Sequence, residues 1–164
     1  MLKFIRLFKH YYFGISFAGI AAFVIQELPY IVMPLINPSS NPIMNMQNGI
    51  KCLEIAQGVF GVLSMILLMV VVRDDVKAFS TASPKEKLLF FLTVVMILIN
   101  FTGWAFYYMG YQYGWLIVLT QFAVVPLYYL FYGLWKKNHL LVLSSVPFFV
   151  IHTINGYIHF MIAR

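Results

Sequence analysis

Residues 152–159 read HTINGYIH, set inside the apolar run LLVLSSVPFFVIHTINGYIHFMIA. Histidine and asparagine are expensive at membrane depth, where a polar side chain marks either a site or a helix contact. His152, Asn155, Gly156 and His159 fall at i, i+3, i+4 and i+7, one stripe of a helix. Glu54, Gln57, Gly58 and Gly61 repeat that spacing. Glu27 adds a carboxylate two residues before Pro29, and Asn100, Trp104 and Gln121 add amides and an indole in other apolar runs.

These residue types suit two kinds of chemistry. A carboxylate and an imidazole in a dry cavity can act as acid and base on a lipid-like substrate, Glu27 and His152 being the pair. Alternatively Glu27 supplies charge or a hydrogen bond, Asn100, Gln121 and Asn155 orient a small or amphiphilic ligand, and His152 responds to pH. Trp104, Tyr107 and Tyr108 would then form an aromatic wall. The candidate ligand-binding set is Glu27, Glu54, Gln57, Asn100, Trp104, Gln121, His152 and Asn155. Structural alternatives are Glu27 as a neutral buried acid, Glu54 as a partner of Lys51 or of its own helix N-terminus, and His152 with Asn155 as a polar pair binding another helix; His159, outside the set, reads equally as an interfacial residue. No catalytic residue is assigned.

Metal chemistry is disfavoured. Glu27, Glu54, His152 and His159 are suitable ligands for zinc or iron. Seven residues of helix, however, put the two histidines about 10 Å apart along the axis. No HExxH or ExxH pair occurs, nor GxSxG, a P-loop or a dinucleotide fingerprint. No cofactor is expected. The single Cys52 reads as a small apolar helix residue.

The elements that position these residues follow from composition. Of 164 residues, 62% are hydrophobic and 10% charged, with mean hydropathy +0.86. No soluble domain of this size covers itself with so little polar surface, so the chain reads as an all-α, multi-pass membrane protein in one domain, 1–164. Five spans are expected, at about 11–36, 50–72, 88–109, 114–135 and 140–162. The segment KFIRLFK reads as an interfacial helix, since Lys3, Arg6 and Lys9 share a helical face. SPKEK reads as a helix start with Ser83 as N-cap and Pro84 in the first turn. GYQYG reads as a tight turn, and no internal repeat is evident.

Basic residues collect in the N-terminus, in RDDVKAFSTASPKEK and in KKNH, while NPSSNPIMNMQNG and GYQYG hold none. This alternation predicts a cytoplasmic N-terminus and an outer C-terminus, in the plasma membrane by preference. It also accounts for the net charge of +6 without nucleic acid. With that direction, Glu27, Glu54, Gln57, Asn100, Gln121, His152 and Asn155 all fall in the outer half of the bilayer. The leading expectation is a polar cavity there that binds or helps to move a small or amphiphilic ligand. A lipid-modifying enzyme and a structural subunit of a larger complex are the alternatives. Homo- or hetero-oligomers would pack through Gly58, Gly61 and Gly156.

Overall fold

The computed structural model describes residues 1–36 and 50–162. The linker at 37–49 and the C-terminal residues 163–164, including Arg164, lie outside the described residues. The described residues form five helices: α1 Phe17–Ile36, α2 Lys51–Val70, α3 Pro84–Tyr108, α4 Gly114–Trp135 and α5 His139–Ile162. Helices α2 to α5 are long and apolar enough to cross a membrane, whereas the apolar part of α1, Phe17–Val32, is shorter. The chain is therefore a multi-pass helical membrane protein in outline. Helix α4 packs against both α3 and α5, α5 also packs on α2, and α1 lies against α2.

The N-terminus departs from the all-α expectation. Instead of an interfacial helix and a span beginning at residue 11, residues Leu2–Phe8 form strand β1 and Tyr11–Ile15 form β2. They make an antiparallel hairpin, and β2 pairs in turn with β3, Val71–Arg73, through Tyr11↔Arg73, Tyr12↔Val72 and Phe13↔Val71. The three-residue spacing of Lys3, Arg6 and Lys9 fits a helix. The segment is equally rich in aromatic and branched residues that fit a strand, and pairing to a distant segment decides between them. The first helix consequently starts at Phe17, where Ser16 Oγ accepts from the Gly19 N–H at 3.0 Å.

Local signals fix the other helix ends. Ser83 Oγ accepts from the Glu86 N–H at 3.2 Å with Pro84 in the first turn, as its sequence implies. Helix α3 closes in a Schellman turn: Tyr111 N–H donates to Phe106 O at 3.0 Å and Gly110 N–H to Tyr107 O at 3.1 Å. Gly110 has φ +94°, which only glycine adopts without strain. Helix α4 closes in the same way on Gly133 O and Leu134 O, but with Lys137 at φ +53° in the left-handed position. A β-branched residue is more strained there than lysine. Lys137→Val is expected to destabilise the protein by about 1–2 kcal/mol and Lys137→Asn by much less, measured by thermal unfolding in detergent.

The sheet and the two basic linkers meet at one end of the bundle. Tyr11 Oη donates to Lys137 O at 3.0 Å and accepts from the His139 N–H at 3.1 Å. Arg73 lies 4.6 Å from the Tyr11 ring centre and donates to Lys137 O and to both oxygens of Asp75. His10 Nδ1 is 3.0 Å from Asp74 Oδ1. Asn138 Nδ2 donates to Leu67 O at 3.0 Å while its Oδ1 caps α5 at the Leu141 N–H. Trp135 Nε1 donates to Ser80 O at 2.7 Å. Segments distant in sequence are thus bound into one cap.

Candidate functional site

The polar residues toward the opposite end of the helices fall into separate packed clusters. In the first, Asn100 on α3 donates through Nδ2 to Thr120 O at 2.9 Å, Tyr30 Oη at 3.2 Å and Gln121 Oε1 at 3.4 Å. Tyr30 Oη donates to Gln121 O at 3.4 Å. Trp104 is fully buried and meets Tyr30 edge-on with ring centres 4.9 Å apart. Asn100, Gly103, Trp104 and Tyr107 form the buried stripe of α3.

The backbone of α4 is shaped to meet this stripe. Val118–Ala123 forms a π-helical segment, and Thr120, Gln121, Phe122 and Ala123 in it are all buried. Widened turns of this kind occur mostly as single insertions and are frequent at functional sites. Pro126 follows and has no N–H to offer the preceding turn.

Beside this cluster Tyr129 donates to Gln26 Oε1 at 2.9 Å, and both residues are buried. Glu27 is half-buried next to them, near Tyr30 and Tyr129, with no hydrogen bond or ion pair among the described residues. Hydrogen-bonding capacity is left over here. Gln26 Nε2, Asn100 Oδ1 and Gln121 Nε2 are buried and have no hydrogen-bond partner among the described residues.

The second cluster joins α5 to α2. Asn155 Nδ2 donates to Gln57 Oε1 at 2.8 Å. The Asn155 carbonyl can only accept, so His159 Nδ1, 2.8 Å away, carries the proton. His152 is not hydrogen-bonded to either cluster. Its ring lies between Phe122 and Phe148, with centres 4.7 and 4.9 Å away, and its Nδ1 is buried without a partner among the described residues. Phe122 also occupies the space against Gly156, where a Cβ would come within 2.4 Å of its ring.

The stripe expected on α2 divides. Gln57 and Gly61 face inward, continued by Ser64, whose Oγ is 2.9 Å from Ser144 Oγ, and by Leu68. Glu54 and Gly58 are exposed, on an outward groove with Ile55, Val59 and Val62. Four positions at i, i+3, i+4 and i+7 span a broad arc, and here its edge, not its centre, touches the neighbouring helix. Of the three glycines expected to pack a partner, Gly61 seats Phe148 and Gly156 seats Phe122 of the same chain, while Gly58 meets nothing within 4 Å.

Sequence reasoning singled out neither Gln26, Tyr30, Thr120 nor Tyr129. A tyrosine in an apolar run reads as core packing, and the one available signal was the i, i+4 pairing of Gln26 with Tyr30. No protein-family model matches the chain, and no curated protein or solved structure is significantly similar to it.

Proposed function

We propose that this is an integral membrane protein of five spans, N-terminus cytoplasmic and C-terminus outside, that binds a small polar ligand at the amide cluster in its outer half. The topology is supported by charge. Lys3, Arg6, Lys9, Arg73, Lys77, Lys85, Lys87, Lys136 and Lys137, nine of the eleven basic residues, belong to the sheet, the two linkers at that end and the first turn of α3. That end therefore suits the cytoplasmic headgroups.

The binding reading is carried by the unspent groups of Gln26, Asn100 and Gln121, each 2% exposed and each on a different helix. A buried donor or acceptor left unmatched costs about 1–3 kcal/mol, so three of them on packed helices are a reason to expect a polar guest. The ligand is small, because Tyr30 and Trp104 already fill the neighbouring space. Glu27 stands beside it, positioned to neutralise a cationic group. Proton-transfer chemistry by Glu27 and His152 has less support, since the ring contacts of His152 are Phe122 and Phe148. A role as a complex subunit is favoured by one feature only, the open α2 groove at Gly58.

Small-molecule mass spectrometry of the protein purified in neutral detergent tests the proposal. A compound stoichiometric with the wild type and lost from Gln121→Leu and Gln26→Leu is expected. Absence of any such compound, together with unchanged thermal stability of both variants, would overturn it.

A further inference from the structure

A half-open cavity of about 80 Å³ lies at the sheet end of the bundle, remote from the amide cluster. Leu68, Val72 and Tyr132, all buried, supply an apolar wall. Arg73, Lys77 and Lys136 also line it, and no carboxylate is among its described lining residues.

The cations are not equally spent. Arg73 is held by both oxygens of Asp75. Lys136 Nζ donates to the carbonyls of Lys77, at 3.0 Å, and Ala78, and sits 3.7 Å from the Trp135 ring centre. Its ammonium is thus fixed at the cavity on neutral groups, and burial pushes its pKa down to about 8. Lys77 is exposed and makes no ion pair among the described residues. The first turn of α1 enters the same cavity at Phe17 and Ala18. Their N–H groups have no intrahelical acceptor.

We infer that this cavity is a binding site for an anionic amphiphile. Its phosphate or carboxylate head meets Lys77, Lys136 and the first-turn amides of α1, and its apolar chain lies along Leu68, Val72 and Tyr132. Lys77 and Lys136, which no carboxylate among the described residues binds directly, select the anion, and the apolar wall selects the tail. At the basic end of the bundle the available source is an anionic phospholipid. The inference is independent of the amide cluster, which no lining residue of the cavity joins.

The test uses the full chain in neutral detergent, with native mass spectrometry and thermal unfolding against three probes: phosphatidylglycerol, phosphatidylcholine of the same chains, and inorganic phosphate. Phosphatidylglycerol is expected to bind one to one and at least ten times more tightly than either other probe. Lys77→Gln, an exposed change that leaves the folded packing intact, should weaken that binding several-fold. Lys77→Gln combined with Lys136→Gln should abolish the preference for the anionic lipid. Equal binding of the two lipids, an equal effect of inorganic phosphate, or phosphatidylglycerol binding unchanged in both variants would each overturn the inference.

Discussion

Replacing Gly103 with alanine is expected to destabilise the protein by about 3 kcal/mol, and with valine to prevent folding. A Cβ at this position would lie 2.1 Å from Thr120 Oγ1 and 2.2 Å from Thr120 Cβ. Thr120 has no room to yield, because its hydroxyl is bonded back to Leu116 O at 2.7 Å and its Cβ moves only with the backbone. Helices α3 and α4 must therefore separate. Overpacking alone costs about 1–3 kcal/mol. Separation also stretches the 2.9 Å bond from Asn100 to Thr120 O, adding about 1 kcal/mol. Gly58→Ala supplies the contrast, since its Cβ would meet nothing within 4 Å. Alanine there should stabilise α2 by up to about 1 kcal/mol through helix propensity. Unfolding in detergent with increasing SDS measures both. A Gly103→Ala protein as stable as the wild type would show that α3 and α4 do not approach this closely.

The contrast between these glycines shows what sequence reveals and what it leaves open. Helices α2 to α5 are legible because an uninterrupted apolar run is a local property, and α4 begins and ends at the residues its hydropathy implies. Ser83 and Gly110 are legible because a cap and a Schellman turn are satisfied within a few residues. The sheet is not, since Tyr11–Ile15 pairs on one side with Leu2–Phe8 and on the other with Val71–Arg73, some sixty residues away. The candidate site is legible as a list and not as an arrangement. Gln57, Asn100, Gln121 and Asn155 are buried or half-buried polar groups, as their types suggest. Which amide meets which depends on helix rotation, and four helices rotated by a fraction of a turn would pair them differently. Glu54 illustrates this, sharing the spacing of Gln57 yet facing outward. The π-helical turn at Val118–Ala123 has no periodic signature of its own; Pro126 is its one visible neighbour.

Asn100→Leu should destabilise the protein by about 2 kcal/mol, and the way this loss combines with others decides whether the polar residues form one site or two. Leucine is close to asparagine in size, so the effect reports lost hydrogen bonds more than a cavity. The two N–H groups of Asn100 Nδ2, shared among Thr120 O, Tyr30 Oη and Gln121 Oε1, are lost in a buried place, at about 1 kcal/mol each. Gln121→Leu removes one of the same partners. The double variant should therefore lose less than the sum of the singles, by about 1 kcal/mol; hydrogen bonds between membrane helices typically couple by about 0.6 kcal/mol. Asn155 shares no partner with Asn100, its side chain being spent on Gln57 across α2 and α5. Asn100→Leu and Asn155→Leu should then add to within about 0.5 kcal/mol. Strong coupling between these two would join the clusters through Phe122, the residue packed against both His152 and Gly156, and would make a single outer-half site of them. Additivity would confine the proposed ligand contact to the three amides of α1, α3 and α4. It leaves His152 and Asn155 as the means by which α5 is held to α2 and α4.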